Sequence, residues 1–312
     1  MMTIIKERII LALALATIGI LLIDRYRPKN EKGIKFDWDR LWIFKTHSEQ
    51  KYSHVVCGDS RVYRDVSASA MEKNLSDGSV FNFGYSSGSF SNFMLDRMER
   101  KLDKNSRHPT LILGITPFSL TKKASVDAHI KEELARKKEE VIEVLYMEPL
   151  KRVFEPISIE LLVNGHQGDL GNEPVYHQEP FYKEGWVASS KTPPDPKSAL
   201  PSYVKSFEGN TVSLSMIDSL LLRVRAWREK GITVYGFRPP TTFDMVELEY
   251  RLSGFNEKDF QTRFENAGGV WLSFSSTDFE TYDGSHLTKS SAIKFSEQLG
   301  KLIKTRESGN RN

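Results

Sequence analysis

Ser53-His54-Val55-Val56-Cys57-Gly58-Asp59-Ser60-Arg61 is the stretch that decides how the chain folds. The run from Ser53 to Cys57 reads as a strand, and it breaks at Gly58, where a residue without a Cβ permits a sharp turn. Asp59-Ser60 then has two open readings. Side-chain oxygens ahead of a helix cap its unpaired N–H groups. Alternatively, a serine on a tight strand-to-helix turn projects its hydroxyl from the sheet edge, beside backbone N–H groups that can meet an oxyanion.

Working outward, a helical stretch begins at about Ser67, with Ala70, Met71 and Leu75 at helical spacing. Val80-Phe81-Asn82-Phe83 is a second short strand, stopped by Gly84 and a Ser/Gly-rich loop to Ser91. Phe93, Met94, Met98 and Leu102 recur with a period near 3.6 and mark an amphipathic helix. Thr110-Leu111-Ile112-Leu113 has the pattern of a strand buried on both faces. Further on, a helix over 212–228 precedes a fourth strand, Ile232 to Phe237, and helices over 246–252 and 257–266 precede a fifth, Gly269 to Leu272. The last helix runs from about Ser290 to Ile303 into a charged tail. Strands alternating with helices predict an α/β fold, a three-layer α/β/α domain with a mostly parallel sheet, flavodoxin-like in type. Such sheets bind ligands at the carboxyl ends of their strands, so the residues just after each strand are the ones to inspect.

The stretch 121–210 interrupts this alternation. It contains a highly charged helix over 131–144 and a Gly-, Pro-, Asn- and Ser-rich region from Asn164 to Pro201, and it reads as an insertion or lid over the main fold. At the other end, Ile9 to Ile23 is apolar apart from Thr17 and Gly19, and charged residues flank it. Bulky Leu21-Leu22-Ile23 runs straight into charge without a small-residue cleavage site, which favours an uncleaved signal-anchor spanning the membrane. The expected organisation is an anchor over 1–30, a juxtamembrane entry over 31–50, an α/β domain over 51–305 and a tail over 306–312. The domain would then lie outside the cytoplasm, held at the cell (inner) membrane by one span.

Composition excludes several function classes. The 312 residues carry 44 Lys and Arg against 41 Asp and Glu, a formal net charge of +3. The basic residues are spread along the chain and form no run interleaved with aromatics, so no nucleic-acid partner is expected. With Cys57 as the single cysteine, no internal disulfide or cysteine-based zinc site can form. His54, His166 and His177 have no partners at metal-ligand spacing, and no metal is expected. The absence of a phosphate-cradling glycine fingerprint argues against a nucleotide cofactor, and none is expected.

Two more motifs fall on the same rim as Ser60. Phe83-Gly84-Tyr85-Ser86-Ser87-Gly88 follows the second strand, where Gly84 either offers its N–H to an oxyanion or makes a flexible turn, and Asn82 either braces the loop or points at the site. Asp283-Gly284-Ser285-His286-Leu287 follows the fifth strand. There the carboxylate can orient the imidazole while the other ring nitrogen faces a serine hydroxyl, and the alternative is simple helix capping. Arg238, directly after the fourth strand, is placed either to hold an anionic substrate group or to sit on the surface before Pro239-Pro240.

Gly-Asp-Ser-Arg near the start, Asn-Phe-Gly after the second strand and Asp-Gly-Ser-His near the end resemble the SGNH/GDSL hydrolase superfamily, over roughly 53–302. With the N-terminal anchor, the pattern resembles its membrane-tethered branch, which includes polysaccharide O-acetylation proteins and the D-alanine-transfer protein of teichoic acids. The resemblance implies Ser60 as nucleophile, Asp283 and His286 as the other triad members, and Gly84 as an oxyanion donor. It departs at the third block, where Gly114-Ile115-Thr116-Pro117 lacks the family's Asn, leaving Thr116 to donate a weaker hydrogen bond or the position to be given up. The implied function is a serine esterase or O-acyltransferase acting on acyl groups, O-acetyl above all, of an envelope or exported polysaccharide, with a membrane acyl-transfer protein as a partner. The alternatives are a non-catalytic scaffold of a polysaccharide-modifying complex and D-alanyl transfer to a teichoic-acid-like polymer.

Overall fold

Five parallel strands carry the fold of the computed structural model: β1 (His54–Gly58), β2 (Val80–Asn82), β3 (Thr110–Gly114), β4 (Thr233–Phe237) and β5 (Val270–Leu272). They lie in the order β2-β1-β3-β4-β5. These are the five strands expected from the sequence. Residues 8–19, 35–36, 38–75, 78–147, 177–275 and 278–309 are described, and the statements below concern those residues.

Strand alternation sorts side chains onto two cores, because successive Cβ atoms point to opposite faces. Val55, Cys57, Leu111, Leu113 and Val234 enter one core with Trp42, Met94, Leu220, Trp227 and Phe264. Val56, Ile112, Tyr235 and Phe237 enter the other with Val62, Met71, Phe295 and Leu299. Helices α1 (Trp38–His47), α4 (Asn92–Lys101), α7 (Leu214–Glu229) and α9 (Glu257–Asn266) supply the first core. The second is covered by α2 (Ser60–Asp65), α3 (Ala68–Glu72) and α10 (Lys289–Gly309). Helix α5 (Ala128–Leu134) packs on α1 with Ile130 in the first core, while α6 (Leu200–Phe207) and α8 (Phe243–Ser253) pack on each other.

The chain order turns back between β1 and β3, the switch point at which such sheets bind ligands. Gly58 and Gly114 are register partners at the carboxyl ends of these two strands.

Several expectations are corrected. The charged helix expected over 131–144 is broken: α5 ends at Leu134 and a separate helix covers Lys138–Ile142. No residue of that second helix is buried, so no packing holds a continuous helix together. Helix α10 continues past the expected end at Ile303 to Gly309, and the Glu307 carboxylate meets the buried His54 Nε2 at 3.0 Å. Within the expected insertion, Trp186, Val187 and Ala188 are buried in the main unit, which comprises residues 36–135 and 174–312. Residues 1–35 and 136–173 form a second unit. In it residues 8–19 are helical, and no helix of the described residues is long and apolar enough to cross a membrane. The remainder of the expected anchor, like His166, lies outside the described residues.

Candidate active site

The site is built on α2, the short helix that follows β1 without a loop. Asp59 is its N-cap, and the carboxylate accepts the Arg61 N–H at 3.0 Å, which places Ser60 at the first helical position. The cap residue and the residue whose hydroxyl faces His286 are therefore different residues. The turn is tight. A Cβ on Gly58 would stand 2.3 Å from the Val62 side chain and 2.8 Å from the Gly114 carbonyl.

Ser60, Asp283 and His286 come together. His286 Nε2 lies 2.9 Å from Ser60 Oγ, and His286 Nδ1 lies 2.8 Å from Asp283 Oδ2. The other Asp283 oxygen accepts the backbone N–H groups of Ser285 and His286, each at 2.8 Å. Burial by itself would raise the Asp283 pKa. The hydrogen bond and charge of His286 and these backbone donors outweigh it and hold the carboxyl at about 2. Burial lowers the His286 pKa below 6.5; Asp283 pulls it up, and Arg64 and Arg61 push it down. A neutral imidazole with Nδ1–H directed at Asp283 leaves Nε2 as the acceptor for the Ser60 hydroxyl proton.

Helix α2 also grips the loop that carries Asp283 and His286. Arg61 Nε donates to Ser285 Oγ at 3.0 Å, and Asp65 Oδ1 accepts the Leu287 N–H at 2.8 Å. Arg64 donates to the Tyr282 hydroxyl at 2.7 Å, and the Tyr282 ring stacks on His286 with centroids 5.8 Å apart. From the other side, the backbone N–H groups of Asp195 and Ala199 reach the carbonyls of Tyr282 and Asp283 at 2.8 and 3.0 Å. Gly284 is required here: its φ is +92°, and a Cβ would lie 2.0 Å from the Pro196 carbonyl oxygen. Arg61 is fully buried and its guanidinium forms a bidentate pair with Glu249 at 3.2 and 2.8 Å.

The remaining expected site residues are placed elsewhere. The Gly84 N–H is committed to Asn82 Oδ1 at 2.9 Å, which corrects the expectation that it faces an oxyanion. Asn82 is a brace: its amide donates to the Val62 and Val66 carbonyls, both at 2.7 Å. Thr116 is fully buried and its hydroxyl donates to Asp59 Oδ2 at 2.5 Å, so the third-block position locks the cap of α2 and has no free donor. Arg238 is paired with Glu249 and Glu257, both at 2.8 Å, and is not available as an anion clamp.

Ser87 is a residue the sequence reading passed over. The Gly88 N–H bonds to the Tyr85 carbonyl at 3.0 Å, closing a turn in which Ser87 has φ +54° and is exposed. Backbone strain of this kind clusters at functional sites. The turn is pinned to the end of β1: the Tyr85 N–H bonds to the Gly58 carbonyl at 3.0 Å, and Gly88 sits against the same oxygen. Among the described residues, neither the Ser60 nor the Ser87 N–H has a hydrogen-bond partner. The sequence signal was the Ser86-Ser87-Gly88 run itself, since such residues favour tight turns.

No family model matches the chain. No curated protein matches it. Among solved structures it is similar to a carbohydrate acetylesterase from Sinorhizobium meliloti, with 12% identity, a TM-score of 0.30, and coverage of 80% of this chain and 97% of that one. Likeness at that level leaves both fold and chemistry to be argued from this chain's own residues.

Proposed function

We propose that the chain is a serine-nucleophile enzyme for acyl esters, with Ser60 as nucleophile, His286 as general base and acid, and Asp283 as the group that orients it. The hydrogen-bonded chain Ser60–His286–Asp283 at the switch point of the sheet is the observation that carries this reading. The Ser60 oxygen attacks the acyl carbonyl as its proton passes to His286 Nε2, and the imidazolium is stabilised by Asp283. The oxyanion is received by the N–H groups of Ser60 and Ser87. Collapse releases the alcohol, which takes the proton from His286, and leaves the acyl group on Ser60. His286 then deprotonates water, for hydrolysis, or an acceptor hydroxyl, for transfer; that oxygen attacks the acyl carbonyl, and as the Ser60–acyl bond breaks His286 returns the proton to Ser60 Oγ.

Hydrolysis and transfer share this acyl-enzyme and differ only in the acceptor. Thr116 and Gly84 are both committed within the protein, so the oxyanion site is left with backbone donors, and a missing donor costs roughly 10²–10³ in turnover. The motif resemblance supports an O-acetylated envelope or exported glycan as substrate. Membrane attachment rests on the sequence alone, where 9–23 is apolar apart from Thr17 and Gly19.

The full chain in detergent, beside Ser60→Ala, is tested with a chromogenic acetyl ester and a fluorophosphonate. Labelling and turnover that both vanish in Ser60→Ala are expected. Wild type as unreactive as the variant in both assays would sink the enzyme reading in favour of a non-catalytic scaffold. Acyl transfer to an added oligosaccharide that outpaces hydrolysis would fix the second step.

A further inference from the structure

Lys45 is fully buried on α1, and among the described residues its side-chain hydrogen bonds go to backbone carbonyls and not to a carboxylate. Its ammonium donates to the carbonyls of Gly84 and Gly185, each at 2.8 Å. It also lies 5.0 Å from the ring centroid of Trp42, 5.5 Å from Tyr85 and 5.8 Å from Tyr63, within cation–π range of all three. Burial pushes its pKa well below the ordinary lysine value, with the Cys57 thiol acting upward and Lys101 downward. A methionine would fill such a position without the desolvation cost of a charge.

The two carbonyls belong to the two segments that flank the candidate site. Gly84 leads into the turn that presents Ser87. Gly185 lies in the segment whose Trp186 Nε1 and Val187 N–H bond to the Arg64 and Tyr63 carbonyls of α2, at 2.7 and 2.9 Å. Farther along, the same segment bonds to Asp283 through Ala199. Gly185 has φ +90°, and a Cβ there would lie 2.1 Å from the Asn82 carbonyl and 3.0 Å from Lys45 Cε, so the chain is drawn tightly around the ammonium.

We propose that Lys45 is a positioning residue for the oxyanion turn: by clamping the Gly84 and Gly185 carbonyls it fixes where the Ser87 N–H stands relative to Ser60. It touches no substrate and acts through the turn. The inference rests on Ser60 being the nucleophile, and the test separates the two claims.

Lys45→Met keeps the length and apolar stem but removes the donor, and Lys45→Gln is a second variant that keeps a shorter donor. Turnover is measured per Ser60 site labelled by fluorophosphonate, so that a loss of folded protein does not count, and amide hydrogen exchange is followed over 83–90 and 282–287. For Lys45→Met, kcat per labelled site is expected to fall about 10- to 100-fold with KM within about twofold, the signature of a donor displaced in the transition state. Exchange over 83–90 is expected to quicken at least about tenfold with 282–287 unchanged, and Lys45→Gln is expected to fall between. Unchanged exchange over 83–90, or kcat per site within about twofold of wild type, would overturn the role of Lys45. If wild type proves inert while exchange in Lys45→Met quickens as stated, the clamp stands and the enzyme reading falls.

Discussion

Arg61, the neighbour of Ser60, donates its Nε–H to the Ser285 hydroxyl at 3.0 Å, so the turn presenting the proposed nucleophile is bonded directly to the loop presenting the base. The rest of its guanidinium is taken up by Glu249, and both side chains are fully buried. Removing one member of such a pair strands the other charge without water. Arg61→Met is therefore expected to cost about 3 kcal/mol, towards the lower end for a broken buried pair because Arg238 still contacts Glu249. Arg61→Met combined with Glu249→Leu is expected to cost less than the single change. Urea unfolding of both variants decides it, and a double variant no more stable than the single one refutes the account.

The pH profile follows from His286. The imidazole must be neutral to accept the Ser60 proton, and its pKa is lowered below 6.5. Asp283, held at about 2, stays ionised throughout the working range. The acid limb of kcat/KM, which reports the free enzyme, is thus expected to have its midpoint below pH 6.5. Arg64 is one of the two cations that depress His286. Arg64→Gln is expected to move the limb upward, whereas Arg64→Lys, which keeps the charge, leaves it in place. A wild-type midpoint at or above 6.5, or a limb unmoved in Arg64→Gln, contradicts this electrostatic picture.

Most of the fold was legible because each sheet strand is a short apolar run ended by a glycine or a polar turn, as at Cys57-Gly58 and Leu113-Gly114. Ser60, Asp283 and His286 stood out because each follows a strand of a parallel sheet. Helix α2 did not, since six residues are too few to show a period. Gly84 misled because a glycine letter suggests an accessible N–H, while Asn82 two residues earlier takes it locally, a pattern typical of Asn side chains. Arg61, Glu249 and Lys45 act through partners distant in sequence, separated by 188 residues for Arg61 and Glu249 and by 140 for Lys45 and Gly185. No local pattern encodes such pairs.

Gly114 tests the packing beneath the site. An added Cβ would stand 2.3 Å from Val62 Cγ2 and 3.1 Å from the Phe237 ring, both side-chain atoms. Gly114→Ala is expected to destabilise by about 1–3 kcal/mol through overpacking. Val62→Ala removes the nearest obstacle, so the double variant is expected to be more stable than the sum of the two single losses. Additive losses in a double-mutant cycle would show that Val62 is not what excludes a side chain at Gly114.

Asp65 offers the clearest test of stability against pH. It is fully buried, one oxygen holds the Leu287 N–H at 2.8 Å, and the other has no hydrogen-bond partner. Burial raises its pKa well above the ordinary carboxylate value, against lowering by the Leu287 N–H and Arg61. A carboxyl whose folded pKa lies above its unfolded one favours the fold below the unfolded pKa, and that contribution is lost as pH rises through the folded value. At pH 7 the group is thus a burden. Asp65→Asn keeps the acceptor for Leu287 without a charge, and it is expected to raise the thermal midpoint at pH 7 by about 2–4 °C. The gain is expected to shrink towards zero near pH 4, where the native side chain is itself protonated. Thermal unfolding of both proteins across that range measures it, and a gain that grows on acidification would reverse the sign assigned to this group.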